Sequence, residues 1–406
     1  MLKVHASKLS GTIAAPPSKS ETHRELVVSA LACGVSRISN VLDAADTQAT
    51  IDGIRALGAG VTREGSVLCI SGGRLHAAET VIDCGNSGTT LRLLTAVAAR
   101  LDGTTRFTGD PSLMRRPMQP LLSALEERGA RIAVTSDGIA VTGPIQPGVV
   151  SIRGDISSQF VSALLIAGCP VTLTSPLVSA PYADLTCASL TRRGVSCVRT
   201  ETGYDTDGAC PQAAEVTIEG DWSSAAYLLA AGAVAGTVAV TGLNRESVQG
   251  DRRILAILSA FGAGVAWYGD TVTVTAGPLA AGEFNLCDTP DLVPAVAVLA
   301  ARASGTTRIY GVAHLMYKES DRLSVLTELL TRMGIAAVQE KDGCRITGGR
   351  LQGACVSAAD DHRIGMAAVV AGLCADGDVS VADTAFAVSY PAFPADIRRL
   401  GGNLDL

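Results

Sequence analysis

Two carboxylates and six cations, placed where apolar segments begin, define the chemistry open to this chain. In Lys318-Glu319-Ser320-Asp321-Arg322, three charged types lead into the apolar series Leu323, Leu326, Leu329, Leu330 and Met333. At helical spacing these five share one face, and the same arc run backwards collects Lys318, Glu319 and Arg322. Charges on a core-facing arc are costly unless paired or solvated. Two arrangements satisfy the pattern. Either the helix opens at Lys318 with its charges facing a ligand, or Ser320 or Asp321 caps it and Lys318 and Glu319 lie in the preceding loop.

Similar starts recur. Pro16-Pro17-Ser18-Lys19-Ser20-Glu21-Thr22-His23-Arg24 sets Lys19, Ser20 and Arg24 at a helix N-terminus, where free N–H groups and the positive dipole end favour anions. Gly85-Asn86-Ser87-Gly88-Thr89-Thr90-Leu91-Arg92 has glycines that admit a ligand to backbone amides, but it lacks the Gly-Lys-Ser/Thr ending of a nucleotide loop. Arg116 stands directly before a helix expected to begin at Pro117. Ser157, Ser158 and Gln159 bring two hydroxyls and an amide to one start; Asp288-Thr289-Pro290-Asp291 and Asp360-Asp361-His362-Arg363 supply two more. Gly220-Asp221-Trp222-Ser223-Ser224 has no cation and reads as structural. Lys19, Arg24, Arg116, Lys318, Arg322 and Arg363 together suit ligands carrying several negative charges, such as two phosphates and two carboxylates. Of 33 basic residues only Lys3, Lys8, Lys19, Lys318 and Lys341 are lysine. Two of them stand in these motifs, where an amine offers a titratable proton that guanidinium does not.

The elements that must position these residues repeat along the chain. Apolar helices are expected just after Ser20, Ser87, Ser157, Ser223, Asp291 and Asp361, at spacings of 67, 70, 66, 68 and 70 residues. Each ends at a turn and a short strand, as in Gly103-Thr104-Thr105-Arg106-Phe107, and a second helix follows. Most units then close with a hairpin, clearest around Gly269-Asp270 and Asp137-Gly138. The unit is β-α-β-α-β-β, six times over. Such a unit cannot bury its faces alone, so three are expected to share one helical core. The domains are expected at residues 15–220, and at 1–14 with 221–406, with crossings near Ala14-Ala15 and Glu219-Gly220-Asp221. The polar stretch Gly203 to Gln212 reads as a surface excursion.

Composition excludes other classes. Apolar residues make up 47% of the 406, mean hydropathy is +0.31, and net charge is −6 with no basic stripe, which argues against nucleic acid or an anionic membrane as partner. The longest apolar runs, such as Ala225 to Gly236, fall short of the roughly 20 residues that span a bilayer. The N-terminal residues read as a strand, with no signal peptide. Eleven cysteines without a C-x-x-C pair fit small buried side chains in a reducing cytoplasm, and neither they nor the five histidines suggest a metal site.

The motifs, in this order and over nearly the whole chain, resemble the 5-enolpyruvylshikimate-3-phosphate (EPSP) synthase family, the 3-phosphoshikimate 1-carboxyvinyltransferases. Ser-Lys-Ser with Arg four residues on, Gly-Asn-Ser-Gly-Thr, Arg116-Pro117-Met118, Ser-Ser-Gln-Phe, Pro-Asp, Lys-Glu-Ser-Asp-Arg and Asp-His-Arg all recur in register. The resemblance implies a two-domain inside-out α/β barrel of three repeats per domain. It also implies transfer of the carboxyvinyl group of phosphoenolpyruvate to the 5-hydroxyl of shikimate 3-phosphate by addition and elimination, on the way to chorismate, without metal or organic cofactor. A cytoplasmic monomer with small-molecule substrates is expected.

On that resemblance Lys19, Ser20, Arg24, Ser157, Ser158, Gln159, Ser179, Asp291, His314 and Lys318 would hold shikimate 3-phosphate. Lys19, Asn86, Gly88, Arg116, Gln159, Arg322 and Arg363 would hold phosphoenolpyruvate. Asp291 would accept the 5-hydroxyl proton and Glu319 donate to the methylene carbon, with Lys318 beside them and Lys19 also catalytic. The chain departs from the family at Val388, where a lysine is usual, at His314 for asparagine and at Met316 for arginine. These departures leave a variant subgroup, weaker phosphoenolpyruvate binding and altered specificity all open. The competing readings are the enolpyruvyl transferase that uses UDP-N-acetylglucosamine, and a similarly folded RNA-end-processing or non-catalytic anion-binding protein. Gly109 to Met118 contains no cysteine, which disfavours the first; acidic charge and the Asp291 and Glu319 pair disfavour the second.

Overall fold

A computed structural model describes residues 1–405. It divides into two compact units, Met1–Pro16 with Glu219–Leu406, and Pro17–Ile218. Six four-stranded sheets are present among the described residues, and all have one pattern: a parallel pair followed by two antiparallel neighbours. The parallel pair is what a β-α-β crossover produces, and the antiparallel pairs come from the hairpin that ends each repeat.

The repeats are not wholly sequential. In the unit Pro17–Ile218, strand Gly34–Ser39 takes its parallel partner from the far end, Glu215–Thr217, so the third repeat closes back on the first. In the other unit Leu9–Ala14 leads the sheet of Gly236–Thr241, and Leu2–His5 fills the last sheet between Val379–Ala382 and Asn403–Asp405. The chain therefore leaves this unit after Pro16 and rejoins it at Glu219.

Each unit is cored by helices. Trp222–Ala235, Val293–Arg302 and His362–Gly372 pack against one another, and Gly88–Ala99 packs against both Lys19–Leu31 and Ser158–Ile166. Trp222–Ala235 and His362–Gly372 are rich in Ala, Val, Leu and Gly and buried on every face, whereas Lys19–Leu31 buries Glu21, His23, Arg24 and Glu25 in its first half. The second helices are one-sided; Arg322–Arg332 buries Leu323, Leu326, Leu329 and Leu330.

Helix starts differ in detail from the sequence pattern. The first core helix is capped by Ser18, whose hydroxyl accepts from Glu21 N–H, so Ser20 lies within its first turn. The fourth is capped by Asp221 rather than Ser223, because the carboxylate accepts from Ser223 N–H. A 3₁₀ turn, Pro290–Leu292, precedes the fifth, and Ser87, Ser157 and Asp361 cap the others. The helix after Arg116 begins at Gln119, two residues beyond Pro117. Gly203 to Gln212 is only partly an excursion: Gly203–Thr206 is a strand paired with Val171–Leu173 and Cys197–Arg199, and it buries Tyr204.

One buried ion pair holds the first and third repeats together. Arg193 Nη2 meets Glu25 Oε2 at 2.6 Å with both side chains fully buried, and Arg193 also donates to Ser29 and Ser36. Desolvation offsets much of such a pair's attraction, so its main effect is to specify how helix Lys19–Leu31 seats on Ala180–Arg192.

Candidate active site

In the unit containing residues 219–405, two core helix starts, the start of helix Arg322–Arg332 and one loop bring six charges together. Lys318 and Glu319 are not on the helix: the preceding 3₁₀ turn ends at Tyr317, and Asp321 caps Arg322–Arg332 by accepting from Ser324 N–H. Of the two arrangements compatible with the sequence, the loop one is found. Its reason is that Arg322 alone of the three is needed inside. Its guanidinium, 1% exposed, donates from Nε to Asp361 at 2.7 Å, from Nη1 to Asp291 at 2.9 Å and from Nη2 to Glu319 at 2.5 Å. Arg363 Nη2 meets the other Asp291 oxygen at 2.8 Å, and Lys318 Nζ lies 3.9 Å from the first.

Three cations thus face Asp291, Glu319 and Asp361 in a self-neutralised cluster. Burial alone would push Asp291 up, but Arg363, Lys318 and Arg322 outweigh it and hold the carboxyl well below its ordinary value. Burial pulls the Lys318 amine down, with Arg322 adding to the effect and Asp291 and Glu319 opposing it. His314, buried in the turn before Lys318, is pushed down to about 3 by burial and by Lys318, so its imidazole is neutral at physiological pH. Tyr227 donates to the Asp291 carbonyl and fixes that turn from the core. Nearby, Asp251 accepts from Ser223 and is raised to about 7 by burial and by Asp291. Val388 lies in the 3₁₀ turn Phe386–Val388, and Met316 is largely exposed.

In the unit Pro17–Ile218, Lys19 Nζ donates to Asp46 at 2.8 Å, both nearly buried. Arg24 lies one turn further in. It donates to Thr186, Ser162 and the carbonyls of Ser20 and Tyr182, and burial lowers it to about 10. Its donors bind three helices to one another, which places it behind Lys19 and Ser20 as their support. Ser179 enters helix Ala180–Arg192 at φ 56°, a left-handed start that turns the chain into the turn whose Tyr182 carbonyl Arg24 grips.

A second group forms around the start of Gly88–Ala99. Arg116 donates to the carbonyl of Asn86 at 3.1 Å and to its side-chain oxygen, while Asn86 Nδ2 donates to Asp110 at 2.5 Å. Arg92 donates to Gln159 Oε1 at 2.6 Å, and Gln159 donates to Thr89. A Cβ on Gly88 would come within 2.6 Å of Arg92 and 3.3 Å of Arg116, so the glycine is what lets two guanidinium groups approach one helix start. Ser157 caps the helix that begins with Ser158 and carries Gln159. A buried chain of hydrogen bonds, His23 to Thr50 to Thr90 to Ser87, ties this group to the first, because Thr90 also reaches the Asp46 carbonyl.

Asp46, Arg92 and Asp361 were absent from the expected set. Arg92 stands four residues after Gly88, at the i+4 spacing that puts both on one face of the helix, and that spacing is legible in the sequence. Asp361 was visible as a cap only, and Asp46 had no local signature.

Paired cations at helix starts beside buried carboxylates form an arrangement chemically suited to multiply charged anions and to proton transfer. The EPSP synthase (3-phosphoshikimate 1-carboxyvinyltransferase) family model matches residues 4–397. A 3-phosphoshikimate 1-carboxyvinyltransferase from Methanocorpusculum labreanum is 47% identical over 99% of both chains. One from Halobacterium salinarum is 42% identical, again over 99% of each. Among solved structures, EPSP synthase from Acinetobacter baumannii superposes with a TM-score of 0.83 at 25% identity, covering 100% of this chain and 99% of its own. The chain belongs to the EPSP synthase family, and its fold is the family's two-domain inside-out α/β architecture.

Proposed function

We propose that the protein transfers the carboxyvinyl group of phosphoenolpyruvate to the 5-hydroxyl of shikimate 3-phosphate, releasing inorganic phosphate, in aromatic amino acid biosynthesis. The observation that carries the reading is Asp291 held by Arg363, Arg322 and Lys318 beside Glu319. The family model and the relatives named above favour the shikimate ester over UDP-N-acetylglucosamine as acceptor.

A carboxylate this strongly paired is ionised but weakly basic. Substrate phosphate and carboxylate groups would compete for the same cations, and each exchange would free a protein carboxylate. Binding then prepares the chemistry: Asp291, relieved of its cations, becomes basic enough to take the 5-hydroxyl proton. Glu319, relieved of Arg322, can hold a proton and deliver it to the methylene carbon. The 5-oxygen adds to C2, giving a tetrahedral adduct. Loss of a proton from the methyl carbon then expels phosphate and restores the double bond. The cations stabilise the charge on the departing phosphate.

Lys19, Ser20, Ser157, Ser158, Gln159 and Ser179 would hold the shikimate ester, with Arg24 fixing the helix that presents the first two. Asn86, Gly88, Arg116, Gln159, Arg322 and Arg363 would hold phosphoenolpyruvate with Lys19, and neutral His314 and Lys318 would meet the ring side of the ester. We place the enzyme in the cytoplasm as a monomer. Phosphate release tests the reading: it is expected from phosphoenolpyruvate only when shikimate 3-phosphate is also supplied. Release that ignores the shikimate ester would overturn it.

A further inference from the structure

Cys33 and Cys210 lie 177 residues apart in sequence, yet their sulfur atoms are 3.5 Å apart, and both side chains are exposed. The backbone holds them there. Cys33 N–H donates to the Pro211 carbonyl at 3.3 Å, and Cys33 forms a parallel bridge with Gln212. Gly73 clears the space beside the pair: at φ +83°, a Cβ on it would lie 2.9 Å from Cys33 Cα and 3.0 Å from its sulfur. The contact with Cys210 pushes the Cys33 thiol up, and Arg74, which follows Gly73, opposes that shift.

We propose that Cys33 and Cys210 are a modification site, a dithiol that low-molecular-weight disulfides oxidise to an intramolecular disulfide locking the closure of the unit Pro17–Ile218. The place of the pair gives the bond its consequence. Cys33 follows helix Lys19–Leu31 and precedes strand Gly34–Ser39 of the first repeat, whereas Cys210 precedes Glu215–Thr217, the strand by which the third repeat completes the first repeat's sheet. A bond there ties the two ends of the unit together, and because it closes a long loop it restricts the unfolded chain strongly.

The exchange balances. Either sulfur can donate in the contact between them, so either can begin the exchange. The first, as thiolate, displaces one thiol from the reagent disulfide and becomes a mixed disulfide. The other, deprotonated, then attacks that sulfur and expels the second thiol. The protein loses two electrons and two protons, and the reagent disulfide becomes two thiols.

The full chain treated with oxidised glutathione, blocked by alkylation and digested without reductant should yield a peptide joining Cys33 to Cys210. Cys355, the third exposed cysteine, has no sulfur contact among the described residues and should give a glutathione adduct only. The unfolding midpoint of the oxidised protein should rise by roughly 5–10 °C and return on reduction. Cys33→Ser and Cys210→Ser should unfold like the reduced wild type and show neither effect. Combining Cys33→Ser with Cys210→Ser in one chain isolates any signal from the buried pair Cys187 and Cys197, whose sulfurs are 2.7 Å apart but only ten residues distant in sequence. Glutathione adducts on Cys33 and Cys210 with no joining peptide, or a joining peptide with an unchanged midpoint, would overturn the proposal.

Discussion

Asp361→Asn isolates the support of the central arginine. Asp361 is fully buried and performs two tasks with separate oxygens: Oδ2 accepts from Arg322 Nε at 2.7 Å, and Oδ1 caps helix His362–Gly372 by accepting from Arg363 N–H at 3.0 Å. Asparagine keeps an oxygen for the cap but removes the charge facing Arg322. The arginine is not left unpaired, since Asp291 and Glu319 still hold both Nη atoms. The loss is therefore that of one buried charge-assisted hydrogen bond, about 2–3 kcal/mol, and not the 3–5 of a wholly broken pair. For a unit of about 200 residues this lowers the unfolding midpoint by roughly 4–12 °C. With Nε released, the guanidinium loses its fixed plane, and KM for phosphoenolpyruvate should rise by about tenfold, or ~1.4 kcal/mol. KM for shikimate 3-phosphate should change less. Phosphate-release kinetics with each substrate varied in turn, beside thermal unfolding of the same preparation, measure all three quantities. Asp361→Ala should unfold lower still by about 1 kcal/mol, the contribution of the cap. An Asn variant with wild-type midpoint and wild-type KM for phosphoenolpyruvate would refute the positioning argument. So would a change confined to the shikimate ester.

Two further outcomes follow from the same cluster. Lys318→Met should nearly abolish turnover while circular dichroism remains native, because Lys318 lies in a loop outside the core helices; a near wild-type rate would remove its catalytic role. Asp291→Asn should reduce turnover by about 10²–10⁴. Its stability effect should depend on pH: the folded carboxyl titrates below its unfolded value, so its contribution is complete above about pH 4 and declines below it. The gap in midpoint between wild type and Asp291→Asn should accordingly narrow on acidification, and a gap that stays constant into acid would contradict the charge clamp.

The sequence alone determined the repeat. Helix starts about 70 residues apart, glycine after each helix and alternating strands are local patterns, and the six identically ordered sheets follow from them. It also placed Lys19, Lys318, Arg322 and Arg363 at segment starts, since a motif is contiguous. Only the tertiary structure decided what those charges touch. Lys19 meets Asp46 across 27 residues, Arg92 meets Gln159 across 67, and Arg322 meets Asp361 across 39. None of these pairings has a local signature, because such a contact is set by the packing of helices and not by spacing along one. The same holds for Glu25 and Arg193, and for the two-residue shifts from Ser20 to Ser18 and from Ser223 to Asp221. Several polar residues at each start were eligible caps, and which one accepts the first free N–H depends on how the preceding loop enters the core. At Lys318 and Glu319 periodicity extended the helix too far. A helical arc records which side chains would share a face, whereas the position of the first turn was decided by Arg322, whose buried guanidinium required three carboxylates from three different segments.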